Sequence, residues 1–256
     1  MPTSVAAAAL CPSPPLLCPQ LTGRGPVLPE LRAACAEVVR RLLGQDPDVV
    51  VVVGSGAATS TWGAGSRLDL SAFAPAIAQG GTGGVPLAPG TGGVPLAPGT
   101  GGVPLAAGTG GVPLALGLGA MLLDQAGYRG PRHLQAVGQD EPAFACAKLG
   151  AELAGSGART ALLVMGDGSA RRTLKAPGYL DPRAAGFDSG VERAIRAGDL
   201  AALLELDQAL ARDLMATGRA AWQVLAGAVP APAPATEVLY CDDPFGVAYL
   251  VAYLHP

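Results

Sequence analysis

The chain has few of the residues that most often carry charge or catalyse reactions. Among 256 residues there are only two histidines, His133 and His255, and 14% of the residues are charged. The 17 basic residues are outnumbered by 20 acidic ones, for a formal net charge of −3. Proteins that bind nucleic acids or anionic membranes carry a basic surface, so the sequence predicts neither partner.

Patterned cysteines and long apolar runs are also missing. The five cysteines are odd in number and none is spaced C-x-x-C, so neither a disulfide framework nor a zinc site is predicted. No apolar run is long enough to span a bilayer. The start, MPTSVAAAALCPSPP, has no basic residue before a short apolar stretch, which is not typical of a secretory signal. A cytoplasmic location is therefore predicted.

Half of the residues are hydrophobic, which is enough for a sizeable core. Valine-rich runs such as DVVVVVGSG do not alternate with polar residues, which indicates strands covered on both faces. Strands separated by helices predict an α/β fold with a mainly parallel central sheet flanked by helices. The predicted strands are Val5–Leu10, Val49–Val53, Leu134–Val137, Thr160–Met165, Val238–Tyr240 and Val247–Tyr253, and the predicted helices are Pro29–Leu43, Leu116–Ala126, Pro142–Ala154, Gly190–Ala197, Leu200–Ala216 and Ala220–Ala228.

The helices of the last third carry the clearest end signals. Ser189 and Glu192 have the spacing of a capping box, and Asp199 is placed to cap the next helix. That helix is expected to end at Gly218. Its four leucines recur at helical spacing and are interpreted as core residues: Leu203, Leu206, Leu210 and Leu214.

A nine-residue unit beginning GTGGVPLA repeats four times between residues 81 and 116. A β-solenoid or recognition arm is one interpretation. Gly/Pro-rich repeats have poor helix and strand propensity, and loops tolerate insertions well, so a tandem expansion within a surface loop is favoured. The prediction is one domain, 1–256, with this insertion at 81–116.

Four turns lie where a ligand crevice is expected, outside the carboxyl ends of strands or beside the last strand. They are LCPSPPLL, VVGSGAATS, VMGDGSARR and LYCDDPFGV. The Gly54-Ser55-Gly56 turn lacks the third glycine and the later acidic residue of a dinucleotide site, so that function is not predicted.

Several side chains in these turns are candidates for chemistry. Asp167 and Ser169 are candidate catalytic residues, although aspartate beside glycine more often caps a turn, and Ser169 has no nucleophile-elbow motif or histidine partner. Arg171 is the third candidate catalytic residue and is placed to meet an anionic ligand, while Arg172 is expected to pair with Asp181 or Asp188 or to face solvent. The hydroxyl of Tyr179 is a candidate crevice group.

Together these segments resemble the catalytic B-type subunit of class III extradiol ring-cleavage dioxygenases, particularly the divergent proteins of this type in actinobacteria. The resemblance covers nearly the whole chain outside the repeat. It rests on five segments in the expected order: ALCPSPPLLCPQL, PDVVVVVGSGA, LLVMGDGSARRTLKAPGYLDPRAAGFD, AGDLAALLELD and LYCDDPFGVAYLVAYL.

The resemblance implies an α/β sandwich in which two histidines and a glutamate hold Fe(II), which binds a catechol and oxygen. The two histidine positions correspond to Ser13 and Ser55, and the acid/base histidine to Ala170. The carboxylate corresponds to Asp242, with Asp243 as the alternative. Serine is a poor Fe(II) ligand, so no metal or cofactor is expected here.

The resulting hypothesis is a dioxygenase-like protein that has lost the iron site and kept a crevice formed by Ser13, Ser55, Ala170, Tyr179 and Asp242. Its candidate partners are a small aromatic or carboxylate ligand, a second copy of the chain or a small partner subunit. One alternative is an active oxidoreductase with a non-standard metal site that uses Asp167, Ser169 and Asp242. The other is a non-catalytic structural or regulatory subunit.

Overall fold

A seven-stranded sheet organises the computed structural model, which describes residues 5–22, 27–63, 67–69, 84–86, 111–229 and 234–255. Its strand order is β3-β6-β2-β7-β1-β9-β8, and β4 pairs with β5 in a separate two-stranded sheet. The strands are β1 (Val5–Cys11), β2 (Val49–Gly56), β3 (Ser60–Trp62), β4 (Arg67–Asp69), β5 (Gly84–Pro86), β6 (Arg132–Gly138), β7 (Thr160–Met165), β8 (Ala235–Asp242) and β9 (Tyr249–His255).

The centre of the large sheet is parallel and its edges are antiparallel. β2 pairs in parallel with β6 and β7, and β7 pairs in parallel with β1. β3, β9 and β8 add antiparallel edges. The predicted α/β class with a mainly parallel central sheet is therefore confirmed, and the carboxyl ends of β1, β2, β6 and β7 share one edge.

Helices cover both faces of this sheet, as the uninterrupted valine run predicts. Successive residues of β2 point to opposite faces, so Val51 and Val53 join one core cluster and Val50 and Val52 the other. The helices are α1 (Pro19–Thr22), α2 (Pro29–Leu43), α3 (Leu114–Gln125), α4 (Ala143–Ala154), α5 (Ala184–Ala197), α6 (Ala201–Leu204), α7 (Gln208–Asp213) and α8 (Arg219–Ala228). The first cluster takes in α4, α5 and α8, and the second takes in α2 and α3.

The end signals of the last third are only partly confirmed. The capping box at Ser189 is wrong because α5 already begins at Ala184. The Asp199 carboxylate does accept a hydrogen bond from the Ala202 amide, at 3.2 Å. The long helix predicted over 200–216 is two short helices, because Asp207 caps a new start by accepting from the Leu210 amide at 2.7 Å.

The prediction that Gly218 ends that helix is also wrong, since it immediately precedes α8. The predicted leucine face is nevertheless in the core. Leu203 and Leu214 are fully buried, and Leu206 and Leu210 pack partly buried against the same cluster.

Helices α4 and α8 approach each other unusually closely through two glycines. A Cβ atom on Gly150 would lie 2.0 Å from the Val224 carbonyl oxygen, and one on Gly227 would lie 2.1 Å from the Ala147 carbonyl oxygen. Only glycine fits such an approach without moving a backbone. This contact fixes α8 against α4 and so sets where the amino end of α8 lies.

Most of the nine-residue repeat lies outside the described residues. Within it, Gly84–Pro86 forms β5, which pairs with β4. Leu68 of β4 is fully buried and bridges to Val112 at the end of the repeat. The described helices include none with the length and apolarity needed to cross a membrane. The single-domain boundary and the loop interpretation of the repeat stay predictions.

Candidate ligand cleft at the carboxyl edge of the sheet

A cleft of about 710 Å³ opens at the carboxyl edge of the central strands. It lies between the turns that follow β1 and β7 on one side and the α7–α8 segment on the other. Its apolar walls include Pro14, Pro177, Ala211, Met215, Ala216 and Val247. Its polar lining includes Asp140, Asp167, Arg212, Thr217, Arg219 and Tyr249. A mostly apolar hollow with a few convergent polar groups is typical of a small-molecule site.

Asp167 is the best-anchored acidic group of this lining. Its Oδ1 accepts from the Ser13 amide at 2.6 Å, and its Oδ2 accepts from the Ser13 hydroxyl at 3.4 Å. Its backbone is tied to the opposite wall, since its carbonyl accepts from the Gly218 amide at 2.8 Å and its amide donates to the Thr217 hydroxyl at 3.3 Å. The carboxyl group therefore has a fixed position at the junction of β1, β7 and α8.

The environment of Asp167 favours its neutral form. Burial raises its pKa from 3.8 to about 6, against the opposing effect of the two hydrogen bonds from Ser13. A carboxyl group with this pKa is able to take up or release a proton near neutral pH. Tyr249, at the start of β9, is 5% exposed, and burial together with the negative charge of Asp167 raises its pKa. Its phenol is thus protonated at neutral pH.

Two arginines supply positive charge to the other wall. Arg212 is exposed and forms an ion pair with Asp140, with 2.5 Å between Nη2 and Oδ1. Arg219, the first residue of α8, is only 2% exposed. Its guanidinium donates to the Gln223 side chain at 2.7 Å and to the carbonyls of Gln139 and Glu141 at 2.5 and 2.8 Å. Burial lowers the pKa of Arg219, and the group stays charged.

The fold brings four of the predicted residues to this cleft or its wall. Asp167 and Ala170 line it directly, and Ser13 holds the Asp167 carboxylate. Ser55 lies behind the lining, where its hydroxyl donates to the Thr217 carbonyl. The shared position follows from the parallel strands, because Ser13, Ser55 and Asp167 all follow or end strands whose carboxyl ends meet at one edge.

Ser169 and Arg171, also predicted as catalytic, do not line the cleft. The Ser169 hydroxyl is fully buried and donates to Asp188 Oδ2 at 2.5 Å, which directs it away from the cleft. Burial raises the pKa of Asp188, with Ser169 opposing the shift. Arg171 packs beside Gly178, in the loop that follows. Its neighbour Arg172 pairs with Asp188, as predicted, with 3.8 Å between Nη1 and Oδ2, and also with Asp243, with 2.6 Å between Nε and Oδ2.

The other two predicted crevice residues also lie apart from the cleft lining. Tyr179 has a side chain that is 62% exposed on a backbone with φ of 62°. Asp242 ends β8, the outermost strand, and accepts a hydrogen bond from the adjacent Asp243 amide at 2.8 Å. Strand β9 separates it from β1, which explains why the crevice position expected for Asp242 is not reached.

The residues at the metal positions that the resemblance implies do not fit Fe(II). Ser13 and Ser55 already use their hydroxyls for internal hydrogen bonds, and Asp242 is exposed at the sheet edge. Throughout the described ranges, no three side chains of histidine, cysteine, aspartate or glutamate are grouped so as to hold a metal ion. His133 and His255 lie at the amino end of β6 and the far end of β9, at the opposite edge of the sheet.

Sequence reasoning missed Thr217, Arg212, Arg219 and Tyr249. One local signal was available for Arg219, which opens the apolar helix RAAWQVLAGA at the end where a positive charge is unfavourable. An arginine in that position indicates that a negatively charged group lies near the amino end of the helix. The remaining three are brought to the cleft only by the tertiary fold.

Comparisons with known proteins support the fold alone. A scan against protein-family models finds no match, and a search of curated proteins finds none either. Among solved structures, the chain is similar to the uncharacterized protein JW3007 from Escherichia coli K12. The TM-score is 0.54 with 12% identity, over 98% of this chain and 100% of that chain. The two chains therefore share an α/β architecture along essentially their whole length.

Proposed function

We propose that this chain is a divergent, cytoplasmic relative of the catalytic B-type subunit of class III extradiol dioxygenases, and that it has lost the iron site and binds a small organic molecule. The observation that carries the proposal is the cleft of about 710 Å³ at the carboxyl edge of the sheet, with the buried Asp167 carboxyl in its lining. Ligands bind at this edge in open α/β sheets.

The departures from the family pattern support loss of iron rather than a substitute metal. An alternative metal site at Asp167, Ser169 and Asp242 needs three side chains that converge. Ser169 instead bonds to Asp188, and Asp242 lies at the outer strand. What the turn after β7 retains is Asp167, whose pKa of about 6 suits it to hydrogen-bond a ligand in either protonation state.

Metal analysis and a ligand screen test the two halves of the proposal. Protein purified after iron supplementation is expected to contain far less than one iron per chain and to consume no oxygen with catechols. Stoichiometric iron with oxygen uptake would overturn the loss of the iron site. The melting temperature is expected to rise with at least one member of a panel of phenols, carboxylates and their neutral amides, because a ligand that binds only the folded state stabilises it.

A cleft-filling variant separates binding in the cleft from binding elsewhere. Ala216 is 8% exposed and lines the cleft, so Ala216→Phe is expected to abolish the shift in melting temperature. Ala201→Phe, at an exposed position at the start of α6, is the matched control and is expected to keep it. If no compound raises the melting temperature of the unmodified protein, the binding proposal fails and a structural or regulatory role takes its place.

A further inference from the structure

Helix α8 places the buried positive charge of Arg219 beside the cleft. Within the described ranges, no carboxylate lies in ion-pair distance of Arg219, although its side chain is almost fully buried. Its contacts use three of the five N–H donors of the guanidinium, and all three acceptors are neutral. A buried charge without a direct ion-pair partner is costly. The arrangement therefore points to a negatively charged group on a bound molecule as the partner of Arg219.

The amino end of α8 adds to the same positive field. The residue before the helix is Gly218, which has no side chain to cap it, and the first turn of α8 contains no acidic residue. The first amides of a helix have no acceptor within the helix and carry partial positive charge, so Arg219 lies where its own charge is least favourable. Ala220, the second residue of α8, lines the cleft directly.

The acidic side chains nearest to Arg219 make their direct contacts with other groups. Asp140 forms its ion pair with Arg212, which lowers the pKa of that carboxyl, and Arg219 acts on it only at longer range. The Asp167 carboxyl is held by the Ser13 amide and hydroxyl, and among the described residues it forms no ion pair with Arg219. A ligand carboxylate in the cleft would therefore supply the direct ion-pair partner that Arg219 lacks within the described chain.

We propose that the cleft binds a small organic monocarboxylate, whose carboxylate group contacts the free donors of Arg219 and the amino end of α8. This inference rests on the proposed ligand-binding function of the cleft and adds the chemical class of the ligand. The planar guanidinium matches a carboxylate, and the apolar walls formed by Pro177, Ala211 and Met215 suit an apolar body. The Asp167 carboxyl is placed to hydrogen-bond a polar substituent on that body.

Nuclear magnetic resonance of the intact chain tests the contact without a variant. Benzoate is the probe, benzamide its neutral counterpart and inorganic phosphate the alternative anion. Saturable shifts in the Arg219 Nε–H signal and the Ala220 and Ala221 amides are expected with benzoate and not with benzamide. Equal or stronger shifts with phosphate would overturn the carboxylate assignment, and shifts confined to other residues would overturn the site.

Variants of matched charge then test the energetics. Arg219→Gln is expected to weaken benzoate binding by about tenfold to a hundredfold, the usual effect of a charged hydrogen bond. Arg196→Gln removes the same charge from an exposed arginine on α5 and is expected to leave binding unchanged. Arg219→Lys keeps the charge and loses the planar fork, so an intermediate affinity is expected even if Arg219→Gln proves too unstable to study.

The outcomes distinguish this inference from the function on which it rests. If a neutral compound from the ligand screen binds in the cleft and is blocked by Ala216→Phe, while benzoate and the other carboxylates show no dependence on Arg219, the carboxylate assignment is overturned and the cleft function stands. If nothing binds and no signal moves, both are overturned.

Discussion

The two ends of helix α8 lie in opposite surroundings. The carboxyl end packs against α4, where Gly227 of α8 and Gly150 of α4 bring the two backbones into direct contact. The amino end carries Arg219 and Ala220 at the edge of a cleft of about 710 Å³. One helix thus joins a close backbone contact to a cleft lined by a few polar groups.

This difference explains how the charged side chain of Arg219 is held in place. A buried arginine at a helix start is unfavourable by itself, both from desolvation and from the helix dipole. The close packing at the other end offsets that cost and keeps α8 from shifting to expose the guanidinium. The packed end is therefore expected to tolerate substitution poorly, and the open end is expected to respond mainly to pH and ligands.

Replacing Gly227 with alanine is the strongest way to break the packed end. The new Cβ atom would lie 2.1 Å from the Ala147 carbonyl oxygen, so α4 and α8 must move apart. We expect the free energy of unfolding to fall by about 3 kcal/mol, at the upper end of the usual range for overpacking. Chemical denaturation followed by circular dichroism measures the loss.

A matched control for that variant is expected to change the free energy of unfolding in the opposite direction. Gly186 lies in α5, and a Cβ atom added there would meet nothing within 4 Å. Gly186→Ala is therefore expected to stabilise the protein by about 0.5–1 kcal/mol through helix propensity. Equal effects of the two substitutions would contradict the view that α4 and α8 meet through their backbones.

The surroundings of the open end are tested by the pH dependence of stability that Asp167, beside the start of α8, is expected to cause. Its pKa in the folded protein, about 6, lies above the ordinary value of 3.8, so the neutral carboxyl stabilises the fold below pH 3.8 and this contribution is lost as the pH rises through 6. Asp167→Asn does not ionise. Its unfolding free energy is expected to exceed that of the parent chain by up to about 3 kcal/mol above pH 6 and to equal it near pH 3.

Asp140→Asn provides the comparison for this pH series. Hydrogen bonding to Arg212 lowers the pKa of the exposed Asp140, so its ionised form stabilises the fold above the ordinary pKa and loses that contribution in acid. This variant is therefore expected to differ from the parent chain at neutral pH in the opposite direction. Parallel curves for Asp167→Asn and the parent between pH 4 and 7 would show that Asp167 titrates normally.

Much of the scaffold was predictable from sequence because buried parallel strands carry a strong local signal. The run Val49–Val53 is apolar throughout, and Thr160–Met165 is apolar after its first residue; both are followed by turn residues, which places Ser55 and Asp167 at one edge of the sheet. β3, over Ser60–Trp62, is too short to leave a pattern. The break at Asp207 was missed because leucines on both sides keep helical spacing.

The polar half of the cleft was less predictable because it depends on which elements meet in space. Asp242 ends a strand that runs in the same direction as β1, yet that strand is the outermost of the sheet. Arg219 reaches the cleft only because α8 folds back against α4. Local sequence therefore indicates the edge of the sheet at which the cleft opens, and the tertiary packing decides which charges line it.

Tyr179 gives the smallest expected effect and the sharpest distinction between the cleft and its surroundings. Its backbone has φ of 62°, which is strained for tyrosine and tolerated by asparagine, and its side chain is 62% exposed. Tyr179→Asn is expected to raise the free energy of unfolding by about 1 kcal/mol, measured by chemical denaturation. Benzoate affinity is expected to stay unchanged in this variant and in Tyr179→Phe, because the ring lies outside the cleft lining. Weaker binding in both variants would show that the Tyr179 hydroxyl contacts the ligand. The ligand site would then include the loop after β7 up to Tyr179 as well as the amino end of α8.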